Sequence, residues 1–127
     1  MTDSTKNLRI KQMSPQLPVT DLERAIEFYI TKLGFELEFR YEDFYAGIIK
    51  DGHSIHLKLG DSPIKSKVQN VDDGFLEILF SVDHVDELYQ ELSAKSVQII
   101  QPLRQMPYGT EFYITDPDGN IIAFLES

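Results

Sequence analysis

The chain has 127 residues, of which 42% are hydrophobic and 26% charged, with a formal net charge of −9 and no cysteine. That length and balance suit one globular domain over 1–127 with a core of its own, and they exclude wholesale disorder, disulfides and thiolate metal sites. The negative charge argues against nucleic acid as a partner; it would favour a cationic ligand only if acidic groups converged on a cleft, and spread over a surface it does no more than keep a protein soluble.

The opening Met1-Thr-Asp-Ser-Thr-Lys-Asn7 is polar, and no apolar run approaches membrane-spanning length. No membrane partner and a cytoplasmic location are therefore expected. Residues 10–19 alternate well enough for a strand, but Pro15 and Pro18 remove two ladder donors and make it an edge or interface strand. Thr20-Asp-Leu-Glu23 reads as the capping box of a helix over 21–33. Leu22, Ala25, Ile26, Tyr29 and Leu33 recur there at helical spacing until Gly34 stops it. Phe35, Leu37, Phe39 and Tyr41 alternate with Glu36, Glu38 and Arg40 in a second strand. Glu42-Asp43 turns into a third over 44–49, and Asp51-Gly52 into a fourth over 54–59. The first module, about 8–60, is thus β-α-β-β-β.

Residues 61–74 are polar and turn-rich, which marks a linker. The second module, about 75–127, repeats the pattern. It has a strand over 75–82, then a helix capped by Asp83 that buries Val85, Leu88, Tyr89 and Leu92, then a strand over 97–101 ended by Pro102. His84 and His53 are expected at the surface. In the closing hairpin, apolar runs over 112–114 and 121–125 flank Asp116-Pro-Asp-Gly-Asn120, where Pro presets φ and Gly permits a positive one.

Two overlays tie the modules together. Residues 19–25 lie on 82–88, an offset of 63, and the turn glycines Gly52 and Gly119 differ by 67, which places His56 on Ala123. Offsets this close indicate a duplicated unit within one domain. Alternation puts Ser14, Gln16 and Pro18 on one face of a strand, likewise Ser54, His56 and Lys58, Glu77, Leu79 and Ser81, and Ile121, Ala123 and Leu125. The opposite faces carry Leu17, Val19, Ile55, Leu57, Ile78 and Phe80, suited to packing under the helices. The rings of Phe39, Tyr41, Phe44, Tyr45, Tyr108, Phe112 and Tyr113 are first a core and interface set, and second a source of surfaces for stacking a flat or cationic ligand.

Val19-x-Asp21, Phe28-Tyr29, Leu33-Gly34-Phe35, Val82-Asp83-x-Val85-Asp86 and Asp116-Pro-Asp-Gly-Asn120, in that order on a duplicated frame, resemble the vicinal oxygen chelate superfamily. That superfamily includes glyoxalase I, extradiol dioxygenases, fosfomycin resistance enzymes and bleomycin resistance proteins. The resemblance covers nearly the whole chain. It implies an α+β fold of two βαβββ modules, each a curved mixed sheet forming half of a cup, and a homodimer that completes two cups. The superfamily's metal-ligand positions fall on Ser14 and Glu77, five residues before the valine that precedes each helix, and on His56 and Ala123, four beyond each turn glycine.

Enzymes of the superfamily usually carry His, Gln or Glu at three or four of these positions, and here His56 and Glu77 are the candidates. A catalytic zinc generally takes three protein ligands and an open position, and Ala123 has no donor atom, so no metal and no cofactor are expected. The alternative is a divalent-metal glyoxalase-like lyase or dioxygenase-like enzyme using His56 and Glu77, a pair that could hold a proton near neutral pH. The plainer reading of His56 is a hydrogen-bonded group in a cup wall. Ser14-Pro-Gln-Leu-Pro-Val-Thr-Asp21 most resembles the bleomycin resistance branch, whose members bind a cationic drug in the dimer groove without chemistry. The expected function is antibiotic-resistance-type sequestration of a small aromatic or cationic molecule by Gln16, Ser54, His56, Glu77, Tyr108 and Tyr113, with the two tyrosines stacking. A dimeric interaction module with a filled cup is a third possibility.

Overall fold

The computed structural model describes residues 5–60 and 76–127; the expected linker over 61–74, and Phe75, lie outside them. In the first module β1 (Gln16–Val19) leads into α1 (Leu22–Thr31), which carries the chain to the far edge of the sheet. From there β2 (Glu36–Tyr41), β3 (Tyr45–Lys50) and β4 (His53–Leu59) return as a meander that ends beside β1. That path makes β1 and β4 parallel while the meander is antiparallel. The second module repeats it with β5 (Ile78–Ser81), α2 (Val85–Ala94), β6 (Ile99–Met106), β7 (Gly109–Thr115) and β8 (Ile121–Glu126), β5 lying parallel to β8. Gln16 sits opposite His56 and Leu79 opposite Ala123. Gln16 and Leu79 lie 63 residues apart along the chain and His56 and Ala123 lie 67 apart, the two offsets of the duplication. The architecture is the expected α+β fold of two βαβββ modules.

One face of each sheet is covered by its helix, and the covered faces merge into a single core. Leu17, Val19, Ala46, Ile48, Ile55 and Leu57 from the first sheet join Leu22, Ala25, Ile26 and Tyr29 of α1. The same cluster continues through Phe112, Ile114, Ile122 and Phe124 under Val85 and Leu92 of α2. Complete burial of an aliphatic or aromatic side chain contributes about 1.5–3 kcal/mol, so this shared core is what holds the modules together. Phe35 bridges it, edge-on to Tyr29 at 5.9 Å and tilted against Phe80 at 6.2 Å. At the C-terminal ends of the helices, Lys32 Nζ donates to the Lys95 carbonyl at 2.6 Å and Lys95 Nζ to the Lys32 carbonyl at 3.4 Å. Each cation thereby satisfies a carbonyl left over by the other helix.

The closing turn is the second link. Asp116 Oδ1 accepts the backbone N–H groups of Asp118 and Asn120, both at 2.9 Å, and Gly119 takes φ +85°, which a side chain would resist. Asp116 Oδ2 accepts the Asn120 amide at 2.9 Å and, from the other module, the Tyr29 hydroxyl at 2.8 Å. Asn120 Nδ2 also donates to the Pro18 carbonyl at 3.0 Å. Burial pushes the Asp116 carboxyl above its usual range, and the bonds it accepts from Asn120, Tyr29 and Asp118 offset only part of that push. Tyr29 is driven well above the ordinary tyrosine value, first by burial and then by the Asp116 charge.

Several local expectations give way to longer-range partners. Asp21, not Thr20, caps α1 by accepting the Arg24 N–H at 3.1 Å. Thr20 is drawn instead to Asp118 Oδ1, to which it donates from its hydroxyl at 2.6 Å and its N–H at 3.0 Å. Glu23, the other half of the supposed capping box, meets Arg40 Nη1 at 2.7 Å. Asp83 does not cap α2. His84 occupies that position in the left-handed region, and the first helical N–H, of Val85, donates to Glu126 at 3.0 Å. The helix spans 22–31 rather than 21–33, β1 begins at Gln16 rather than residue 10, and β5 spans 78–81 rather than 75–82. Pro102 does not end β6, which runs on to Met106. It falls in a register shift between Gln101 and Arg104 on an edge strand, where a missing N–H costs nothing to the ladder.

Candidate functional site

The uncovered faces carry the residues singled out from the sequence. In the first sheet, register aligns Gln16, His56, Gly47 and Phe39 across the four strands. Gly47 is buried because the Phe39 ring lies over it, where a Cβ would collide with the ring. Phe39 in turn meets His56 edge-on at 5.1 Å and stacks on Tyr45 at 6.0 Å. Gln16 Nε2 donates to the Tyr45 hydroxyl at 3.2 Å, and that hydroxyl lies 2.7 Å from His56 Nδ1. With the amide donating to the phenol and the phenol to the imidazole, each donor is used once, and neutral His56 carries its proton on Nε2. Ser54 is 5% exposed and donates to Glu38 Oε1 at 2.5 Å. Tyr41, 61% exposed, continues the row of rings towards solvent.

In the second sheet the matching face is mostly apolar. Tyr113, Ile121 and Ala123 form a small buried cluster with Leu76 and Ile100 against it, while Leu79 is open. Glu77 Oε1 accepts the Ile121 N–H at 2.5 Å. Glu111 is the charged centre of this face. It is 3% exposed, and its Oε2 accepts Arg104 Nε–H at 2.8 Å, the Tyr108 hydroxyl at 3.0 Å and the Tyr113 hydroxyl at 3.4 Å. Burial and then the bond to Glu111 raise the Tyr108 hydroxyl above its ordinary value, and the Glu111 bond does the same for the Arg104 guanidinium.

Of the residues expected at the site, the fold brings Gln16 and His56 together through Tyr45, sets Ser54 on the same strand face, and gathers Tyr108 and Tyr113 around Glu111. Tyr108 is half exposed, whereas Tyr113 is 4% exposed and already has the Arg104 guanidinium over its ring. Tyr45 was named from the sequence only as one of a set of rings, and Gly47, Arg104 and Glu111 were not singled out at all. The signal for Arg104 and Glu111 was their placement as opposite charges on either side of the turn at Pro107 and Tyr108, where an antiparallel hairpin pairs them directly.

The superfamily's ligand positions fit a catalytic metal poorly. Ser14 Oγ accepts from Gln12 at 2.5 Å, Ala123 has no donor, His56 Nδ1 is bonded to Tyr45, and Glu77 Oε1 holds a backbone N–H. No group of three His, Cys, Asp or Glu able to hold a metal occurs among the described residues.

A separate cleft of about 580 Å³ opens on the helix side, with Phe35, Phe80 and Phe124 as its floor. The lysines at its rim are occupied, Lys32 and Lys95 by each other's carbonyls and Lys50 by that of Gly34 at 3.5 Å. The uncovered sheet faces hold the better-organised polar groups. No helix among the described residues is long and apolar enough to cross a membrane.

Residues 9–124 match the family described as the Glyoxalase/Bleomycin resistance protein/Dioxygenase superfamily. The chain belongs to this superfamily. Bleomycin resistance proteins of Geobacillus stearothermophilus and Staphylococcus aureus are each 32% identical to it over 91% of this chain and 96% of their own length. Among solved structures, a bleomycin-binding protein from the bleomycin producer Streptomyces verticillus, complexed with copper(II)-bleomycin, superposes with a TM-score of 0.71. It is 24% identical over 94% of this chain and 98% of that one. A fosfomycin resistance protein from Listeria monocytogenes superposes at 0.75 with 19% identity, covering 94% and 95%. The superfamily fold is thus shared with proteins named for binding an antibiotic and for resisting one.

Proposed function

We propose that this superfamily member holds a small aromatic molecule without transforming it, in a cup completed by two copies of the chain, and works without a metal. One observation carries the reading. Of the four superfamily ligand positions, Ala123 offers no donor and Ser14 only a hydroxyl, while His56 and Glu77 are each engaged by other groups of the chain. What remains on the uncovered faces suits binding: the rings of Phe39, Tyr41 and Tyr45 in one module, Tyr108 and Tyr113 around Glu111 in the other, and Gln16, Ser54, His56 and Glu77 as polar points. The first module, with its row of rings and the Glu38 carboxylate bonded to Ser54, tolerates a cationic group. The 32% identity to bleomycin resistance proteins makes a bleomycin-type glycopeptide the first ligand to try. Exposed Leu79, Tyr41 and Phe44, and the proline-bearing strand β1, support a second copy as the other wall.

A thermal-shift screen of metal-free bleomycin, aromatic metabolites and divalent cations tests this, because a ligand that binds only the folded state raises Tm. A shift by an aromatic compound, lost in Tyr108→Ala and kept in His56→Ala, is expected. A metal shift lost in His56→Ala, or stoichiometric zinc, nickel, manganese or iron after purification without chelator, would replace this reading with the metal-dependent enzyme. Sedimentation as a stable monomer would remove the second copy.

A further inference from the structure

Arg104 and Glu111 form the most constrained polar group on either uncovered face. Glu111 is almost fully buried, and Arg104 meets its Oε2 from two nitrogens, Nε at 2.8 Å and Nη2 at 2.7 Å. Arg104 Nη1 donates to Gln101 Oε1 at 3.2 Å, and the guanidinium carbon stands 5.5 Å from the centre of the Tyr113 ring. A guanidinium has five N–H donors. Glu111 takes the Nε and Nη2 side of it and Gln101 one N–H of Nη1, with the Tyr113 hydroxyl as a further, weaker contact. The outer edge, one N–H on Nη1 and one on Nη2, donates to no other side chain among the described residues. The side chain is 35% exposed, so a ligand can reach that edge.

We propose that the outer edge of Arg104 is the recognition element for a planar pair of oxygens, a carboxylate carried at one end of an aromatic ligand whose ring lies against Tyr108. This rests on the aromatic-binding reading above and adds the polarity of the ligand. A free arginine loses rotamer freedom when it clamps a carboxylate, but Glu111, Gln101 and the Tyr113 ring have already fixed this one. The two N–H groups of the outer edge match a carboxylate as a fork, and the partial burial of the side chain strengthens charge-assisted bonds. An ammonium group meets this edge with the wrong sign, and it reaches Glu111 only by displacing Arg104 from a buried pair.

The test uses three probes of one size on the full chain: naphthalene-2-carboxylate, 2-naphthamide and 2-naphthylmethylammonium, titrated by fluorescence anisotropy and by nitrogen-15 NMR. The carboxylate is expected to bind at least about tenfold more tightly than the ammonium, as two charge-assisted bonds allow, and to move the Arg104 Nε–H resonance. Arg104→Lys keeps the charge and loses the fork, and the preference should fall to within about threefold. Because a lone change at Arg104 leaves a buried carboxylate weakly paired, the decisive variant is Arg104→Met with Glu111→Gln. It removes both charges and should bind all three probes within about twofold of one another. A wild type that prefers the ammonium, or a carboxylate preference that survives in the double variant, overturns the proposal. Binding of all three probes with no preference overturns it and leaves the aromatic-binding reading standing, whereas binding of none overturns both.

Discussion

Removing a single oxygen, in Tyr29→Phe, tests whether the closing turn locks the two modules together. Tyr29 is completely buried, and its ring is edge-on to Phe28 at 5.2 Å and to Phe35 at 5.9 Å, so the packing survives the change. What disappears is the bond to Asp116 Oδ2, while Asp116 keeps the Asn120 amide and two backbone N–H groups. A hydrogen bond to a charged acceptor contributes about 1.5–3 kcal/mol. Taking about 2 kcal/mol, and roughly 3–5 °C per kcal/mol for a chain of this size, Tm should fall by about 6–10 °C with the urea m-value unchanged. The pH dependence gives a second handle. Burial and Asp116 raise the folded Tyr29 above the usual value of 10.0, so its contribution is fully present below that value and is lost as pH rises through the folded one. The gap between wild type and variant should hold from pH 7 to 9 and narrow by roughly 1.4 kcal/mol at pH 11. Urea unfolding followed by circular dichroism at these pH values measures both. A gap below about 0.5 kcal/mol at pH 7, or one that is unchanged at pH 11, would refute the latch.

Gly47→Ala should cost about 1–3 kcal/mol and change the near-ultraviolet circular dichroism, because the new methyl group displaces the Phe39 ring from its place against His56 and Tyr45. Glu126→Ala should destabilise by about 1 kcal/mol by stripping the Val85 N–H of its acceptor, with Glu126→Gln recovering most of it; equal losses in denaturant titrations would show that the charge, not the bond, matters. Tyr45→Phe should shift the His56 ring nitrogens in nitrogen-15 NMR away from a pure Nε2–H tautomer, and an unchanged spectrum would disprove the donor order from Gln16 through Tyr45 to His56.

The duplicated architecture was legible because it depends on local rules that occur twice. Alternation placed Ile55, Leu57 and Ile78 under the helices and His56 and Ala123 on the other faces, and the repeat offsets anticipated the register that sets His56 in the place of Ala123. The caps were misread for one shared reason. Thr20 and Asp83 have side chains that cap helices, but Thr20 finds Asp118, 98 residues away, and the α2 terminus finds Glu126. A capping pattern in sequence competes only against water, whereas in the fold it competes against whatever donors and acceptors the tertiary structure brings alongside. Pro102 was misread differently: proline is a stop signal in a central strand and harmless at a bulge on an edge, and which strand forms the edge is a property of the sheet.

The candidate site divides along the same line. The sequence alone determined which residue types share the uncovered sheet faces and that Ala123 and Ser14, at positions the resemblance marks, make poor metal ligands, since side-chain chemistry and strand alternation need no partner to be known. Only the tertiary structure decided that His56 answers to Tyr45 and Gln16, that Glu77 holds the Ile121 N–H, and that Arg104 lies over Tyr113 with its inner edge on Glu111. Strand periodicity follows from backbone sterics within a few residues, but a buried polar group bonds to the nearest group of the right sign in three dimensions. That neighbour is set by the register of strands the sequence leaves far apart.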